Sequence, residues 1–276
     1  LSEFIGQFPV VILSPENNKI TFGSPADRRR FLDLVISQSS RSYLQDLLEY
    51  RRALRQRNKI LLDAKLAQRD PGEQIDPWTE NLVAHGVRVI QKRGEFLKNF
   101  RPHLVEAYRE IAGGKEEPGL RYRTITGRHN TEETNSLTER FRSAVTRIAA
   151  EERRMGSTLV GPHRDELEMT INGLELRKFA SQGQHRTFLI ALKLAEFHYL
   201  YGRCKETPML ILDDVFSELD REREQRMFGL AQSLGQTFIT ATDRSSLRGV
   251  RHPERVRWFT VEQGTLTNGE TQSGND

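Results

Sequence analysis

Two adjacent carboxylates, Asp213 and Asp214, follow four apolar residues, Met209-Leu210-Ile211-Leu212. A run of this kind reads as a buried strand, so the acids emerge at its C-terminal end, where α/β proteins bind ligands. Paired acids there suit a hard cation. One of the two can hold Mg²⁺, directly or through its water, while the other orients a nucleophilic water toward a phosphate. A strand running into a polar loop would also explain them. A second cluster, Ser181-Gln182-Gly183-Gln184, precedes a helix whose apolar face includes Leu189, Leu192, Ala195 and Tyr199. Ser and Gly at a helix start leave backbone N–H groups unpaired at the positive end of the dipole, which makes an anion site. The same Ser serves equally as an ordinary N-cap. Three residues beyond the acidic pair comes Ser217-Glu218-Leu219-Asp220, where Asp220 would also serve as a helix cap. Downstream, the apolar run Thr237–Ala241 reads as another buried strand. It delivers Thr242 and Asp243 to the same sheet edge if the strands are parallel, and a polar group there can sense a terminal phosphate.

These groups need a sheet to carry them. Phe8–Leu13 is a β-branched run that predicts a buried strand, closed by Ser14-Pro15. Helix then dominates. Tyr43, Leu47, Tyr50, Leu54, Arg57, Leu61 and Ala64 step by threes and fours, and Val83, Val87, Ile90, Leu97, Leu104, Tyr108 and Ile111 repeat the pattern. The breaker Asp70-Pro71-Gly72 through Asp76-Pro77 between them predicts an antiparallel helical hairpin, with Pro102 kinking or restarting the second helix. Gly113-Gly114 to Pro118-Gly119 reads as a linker, and Leu137, Phe141, Val145 and Ile148 mark a third helix ending near Gly156. Leu167, Met169 and Ile171, then Leu174 and Leu176, alternate on either side of an Asn172-Gly173 hairpin turn. A helix over roughly 222–234 would join the two C-terminal strands as a crossover unit, and Val256–Val261 with Leu266 closes the chain as a hairpin.

Composition bounds the class. The chain has 276 residues, 36% hydrophobic and 29% charged, with a net charge of +4. Lys and Arg outnumber Asp and Glu 26 to 19 in residues 25–155, whereas acids lead 19 to 16 elsewhere. Arg clusters such as Arg28-Arg29-Arg30 and Arg51 through Arg57 suit a nucleic-acid backbone, or equally a solvated helix face paired with neighbouring acids. No apolar run approaches the roughly 18 residues of a membrane span. Leu1–Val11 lacks signal-peptide features, and the single Cys204 excludes an internal disulfide framework. A soluble, reducing, cytoplasmic setting is the expectation. The His residues show no HxxxH or HExxH pair. His163 reads as structural or interface-forming, His185 as a neighbour of the helix start or a surface residue, and Trp78 and Trp258 as packing residues.

The order of these parts resembles the C-terminal half of an ABC-type ATPase head: signature motif, Walker B, D-loop and switch region. Within that class it is similar to the RecF family of recombination mediators, through Gly23–Asp33, Gly161-Pro162-His163-Arg164-Asp165, Ala180–Arg186 and Leu212–Asp220, with the likeness running from about Phe8 to Val261. The resemblance implies an α/β fold, an ABC-type head with an inserted, mostly helical lobe. Residues 1–24 would end the N-terminal ATPase subdomain, 25–155 would form the lobe, and 156–276 the C-terminal ATPase subdomain. It implies Mg²⁺ at Asp213 and water polarisation by Asp214. Ser181, Gly183 and Gln184 would touch ATP bound by the opposite subunit, Ser217 and Asp220 would cross the dimer interface, and Thr242 or Asp243 would stand at the switch position. Asn17, after Ser14-Pro15-Glu16, stands where the family leads us to expect an acid, so that loop is given no role.

The implied function is DNA replication and repair: a homodimer on ATP binding that clamps single-stranded or gapped DNA and helps load recombinase with RecR- and RecO-like proteins, within the SOS response. No Gly-x-x-x-x-Gly-Lys-[Ser/Thr] occurs, and Gly113-Gly114-Lys115-Glu116 has neither the spacing nor a following hydroxyl. The resemblance puts that Walker A loop ahead of Leu1, which predicts weak or no ATP binding by these residues alone and a weak DNA-dependent ATPase for the full-length dimer. Two rivals stand beside this reading. An SMC- or Rad50-like head would need long heptad arms, and the stripes here cover only about 20–30 residues each. The other is a non-catalytic scaffold that only recruits partners.

Overall fold

The structure is a computed structural model that describes residues 4–124, 127–128, 134–215, 228–229, 231, 234–242 and 256–269. Strand β1 (Val10–Leu13) ends at Ser14, and a 3-10 turn over Pro15–Asn17 leads into α1 (Asn18–Phe22). Ser24 starts α2 (Pro25–Ser39) with proline at the first helical position and a reciprocal capping box to Asp27, whose Oδ2 accepts from the Ser24 N–H at 2.8 Å. The two heptad-like stripes form α3 (Arg41–Leu66) and α4 (Asp76–Ala112). Asp46 meets Arg88 and Lys92 while Arg57 meets Thr79, so the pair is antiparallel, as the stripes predict.

Pro102 does not restart the second helix. It lies inside one continuous element of 37 residues. The missing N–H falls on an exposed turn where water can satisfy the orphaned carbonyl, while buried Phe96, Phe100, Leu104 and Tyr108 hold the axis. The expected linker after this helix is also shorter than the sequence suggests. Pro118 opens β2 (Pro118–Thr124), which pairs antiparallel with β4 (Glu166–Ile171) in a sheet of order β3-β2-β4-β5, with β3 at Gly127–Arg128 and β5 at Leu174–Glu175. Leu120 and Tyr122 are buried, and their pairing with Met169 and Leu167 of β4 is a long-range partnership that no local pattern declares. Asn172 (φ 50°) and Gly173 (φ 79°) both take the left-handed conformation that a two-residue hairpin turn requires. Leu176 is not in the second strand, because α6 (Leu176–Phe179) begins there. The third predicted helix is α5 (Thr134–Met155).

Helix α7 (Gln182–Tyr201) is buried almost all round and forms the centre of the core. It packs between α4 and a parallel sheet of order β1-β6-β7, with β6 at Met209–Asp213 and β7 at Thr237–Thr240. Val11, Leu13, Leu210 and Leu212 are the buried residues of this sheet. Register places Leu13 beside Leu212 and Asp213 beside Thr240. A separate hairpin of β8 (Trp258–Glu262) and β9 (Thr265–Gly269) matches the expected closing element. The helix expected over roughly 222–234 falls mostly outside the described residues.

An ionic cluster ties the helices to the turn at residues 161–165. The Arg93 side chain, 2% exposed, donates to Asp33 Oδ1 (2.8 Å), the Pro162 carbonyl (2.8 Å), Tyr43 Oη (3.0 Å) and Tyr122 Oη (3.2 Å). Tyr122 in turn donates to Asp165, and Arg29 to the Asp165 carbonyl. Gly161 has φ 127°, and a Cβ there would meet the Tyr50 hydroxyl at 2.5 Å, so only glycine fits the turn. His163 is structural: its ring nitrogens face Tyr50 Oη (2.5 Å) and the Thr158 carbonyl (3.2 Å), and burial pushes its pKa down to about 4. Arg57 donates to buried Glu152 at 2.6 Å, and Arg28 forms a bidentate pair with Glu166. Three arginines of residues 25–155 are therefore internal rather than surface charge, although the buried acids Asp33, Asp46 and Glu152 of the same segment balance them.

Candidate functional site

The acidic pair emerges where the strand arithmetic puts it. Asp213 ends β6 and is exposed, and its Oδ1 accepts from the Thr240 hydroxyl at 2.6 Å. Asp214 follows with φ 49°, a left-handed conformation that Asp and Asn tolerate better than most residues. Its N–H is shared between the Thr240 carbonyl (3.3 Å) and Oγ1 (3.2 Å). One threonine thus orients both acids, because parallel register sets it against Asp213. Thr240 was not among the residues singled out from the sequence. The signal was present in the order of the strand Thr237-Phe238-Ile239-Thr240, but reading it needs the register.

Asp214 lines a small cavity of about 30 Å³ with Ser14, Pro15, Asn18 and Arg186. The loop after β1, given no role from the sequence, is therefore an immediate neighbour of the acidic pair. Among the described residues no cluster of three or more His, Cys, Asp or Glu side chains forms a ready-made metal cage. Thr242 is exposed beyond the end of β7. Ser217, Asp220 and Asp243 lie outside the described residues.

The second cluster caps α7. Ser181 Oγ accepts from the Gln184 N–H at 3.2 Å, and Gln184 Oε1 accepts from the Ser181 N–H at 2.8 Å. This reciprocal box satisfies two backbone donors and leaves those of Gln182 and Gly183 at the helix end. Gln184 Nε2 donates to Glu116 Oε1 at 2.7 Å, so the carboxamide is already engaged within the chain. Ser181 is exposed and Gly183 half-buried, on an open cavity of about 220 Å³ also lined by Ala112, Lys115, Glu116 and Thr187. His185 is not a surface residue. It is buried, its ring stacks on Phe22 at 3.7 Å, and burial lowers its pKa. The two cavities share no lining residue and meet different sides of α7, through Gly183, Gln184 and Thr187 on one and Arg186, Leu189 and Ile190 on the other.

No protein-family model matches the chain. Curated relatives do. The DNA replication and repair protein RecF of Salinibacter ruber is 43% identical over 247 residues, 88% of this chain and 60% of that protein. RecF of Chloroherpeton thalassium is 43% identical over 253 residues, 91% of this chain and 68% of that protein. The chain belongs to the RecF family. It spans roughly two thirds or less of these RecF relatives' length. Among solved structures, the recombination mediator protein RecF-ATPrS in the RecFOR pathway superposes with a TM-score of 0.86 at 32% identity, covering 97% of this chain and 69% of that one. The RecF-ATP structure gives 0.85 at the same identity. The RecF fold, an ABC-type ATPase head, is the architecture described above. No helix among the described residues is long and apolar enough to cross a membrane.

Proposed function

We propose that this chain is part of an ATP-dependent RecF-type DNA clamp in which two copies hold one nucleotide between them. The observation that carries the reading is the separation of the two cavities. Asp214 lines one with Asp213 beside it, the α7 N-terminus lines the other on a different side of the helix, and in this reading a triphosphate gripped by both sits between two copies. In this reading Ser181 and the N–H groups of Gln182 and Gly183 face the phosphates held beside the partner's acidic pair. Ser217, Asp220, Thr242 and Asp243 complete the interface and the switch position. The relatives in solved form as RecF-ATP and RecF-ATPrS support ATP as the nucleotide.

The residues present fit Mg²⁺. Asp213 is an exposed hard-oxygen donor whose orientation is set by the Thr240 hydroxyl, leaving acceptor capacity toward a cation. When bound, Mg²⁺ would neutralise charge on the phosphates. Asp214 would accept the proton of the attacking water at its carboxylate, with Thr240 fixing its backbone. Residues 25–155 would form the DNA-facing lobe, with largely phosphate contacts, and the clamp would act at gapped or single-stranded DNA beside RecO- and RecR-like partners to help load recombinase.

Asp214→Asn in the full-length protein tests this directly, since Asn accepts the same left-handed backbone. ATP hydrolysis should be lost while sedimentation velocity still detects ATP-dependent dimers. Unchanged hydrolysis and no nucleotide-dependent association would leave a partner-recruiting scaffold instead.

A further inference from the structure

We propose that Glu116, in the connection between α4 and β2, is a positioning residue for the phosphate-facing end of α7, acting on the nucleotide held by the other copy. This rests on the sandwich reading above and adds a residue that neither the motifs nor the acidic pair account for.

Three side chains form a continuous relay that ends on the backbone N–H of Ser181. Tyr108 is fully buried on α4, its ring set edge-on to Phe188 of α7 at 6.1 Å. Its hydroxyl donates to Glu116 Oε2, while Glu116 Oε1 accepts from Gln184 Nε2 at 2.7 Å. Gln184 Oε1 then accepts from the Ser181 N–H. A carboxylate suits the middle of this relay because it accepts on both oxygens and donates on neither. Without it, the Gln184 side chain regains its rotamers and the capping box loosens. With it, the Ser181 N–H is held inward, and the Ser181 hydroxyl with the Gln182 and Gly183 N–H groups remains for an anion.

Glu116 is unsuited to touching that anion itself. A fixed negative charge on the same cavity would repel a triphosphate, so its effect must pass through Gln184. Lys115 lines the cavity beside it and offsets that charge.

The test is subunit mixing in the full-length protein. Glu116→Ala should lower ATP hydrolysis about 10-fold, and Glu116→Gln, which keeps an acceptor oxygen, less than about 3-fold. Glu116→Ala mixed 1:1 with Asp214→Asn should recover activity to about a quarter of wild type, because half of the symmetric dimers then carry one intact composite site. Ser181→Ala with Asp214→Asn is the parallel control. Recovery in the control but not with Glu116→Ala overturns the proposal and leaves the sandwich intact. Recovery in neither mixture overturns both. If Glu116→Ala does not fold, Tyr108→Phe keeps the ring packing and removes only the hydroxyl. It should then give the partial loss and the same complementation with Asp214→Asn, and full activity in that variant would count against the relay.

Discussion

Replacing Arg93 with Met removes the cation on which the buried cluster closes while keeping an unbranched side chain of similar reach. Asp33 retains Arg51 at 2.9 Å, but Asp165 keeps only neutral partners and the weaker influence of Arg29, which bonds its backbone carbonyl. Deleting one member of a buried charge network costs about 3–5 kcal/mol, because the remaining carboxylate is left desolvated and uncompensated. For a chain of this size that corresponds to a fall in Tm of about 6–20 °C. The loss should depend on pH. Burial holds the Asp165 pKa up to about 6 even with Arg93 opposing it. An acid whose folded pKa lies above its ordinary value binds its proton more tightly when folded, so its stabilisation is present at low pH and lost as pH rises through about 6. Removing Arg93 raises that pKa further, since the cation that lowers it is gone. The variant should therefore be most destabilised near pH 8 and closer to wild type near pH 5, where the Asp165 carboxyl is neutral. Urea unfolding at both pH values, followed by tryptophan fluorescence, measures this. A loss below about 1 kcal/mol near pH 8, or an equal loss near pH 5, would refute the argument.

Two further perturbations probe function in the full-length protein. Thr240→Val deletes the hydroxyl that fixes Asp213 and shares the Asp214 N–H, so ATP hydrolysis should fall by about 10-fold or more, with Thr240→Ser retaining most of it. Wild-type turnover in Thr240→Val would show that the acids need no such support. Arg52→Glu with Arg55→Glu reverses two exposed charges, of which Arg52 has only a 3.9 Å contact with Glu49. DNA affinity should drop, and the slope of log affinity against log salt should flatten by about 1–2. An unchanged slope would put the clamp surface elsewhere. Arg51 is a poorer choice because its pairing with Asp33 would mix a folding effect into the result.

The amino-acid order by itself determined the long helices α3, α4, α5 and α7 and the strands β1, β4, β6 and β7, though not β2 or α6, and it put both chemical clusters at element ends. Apolar periodicity reports which face of an element must leave water; the transition from Leu212 to Asp213 marks where one such face stops, and Ser181 marks where the next begins. The hairpin turn at Asn172-Gly173 was legible for the same local reason, since few residues accept its backbone. What only the tertiary structure decided was partnership between distant segments. Thr240 became the support of the acidic pair through parallel register, Glu116 became the brace of the α7 cap through the return of β2, and Pro102 was absorbed because the packing on either side of it outweighs one lost hydrogen bond. Arg28, Arg57 and Arg93 look like surface charge in a composition count, yet their acids arrive from 138, 95 and 60 residues away. Local pattern carries information about burial, whereas the compensation of a buried charge depends on which remote group the fold delivers within about 3 Å.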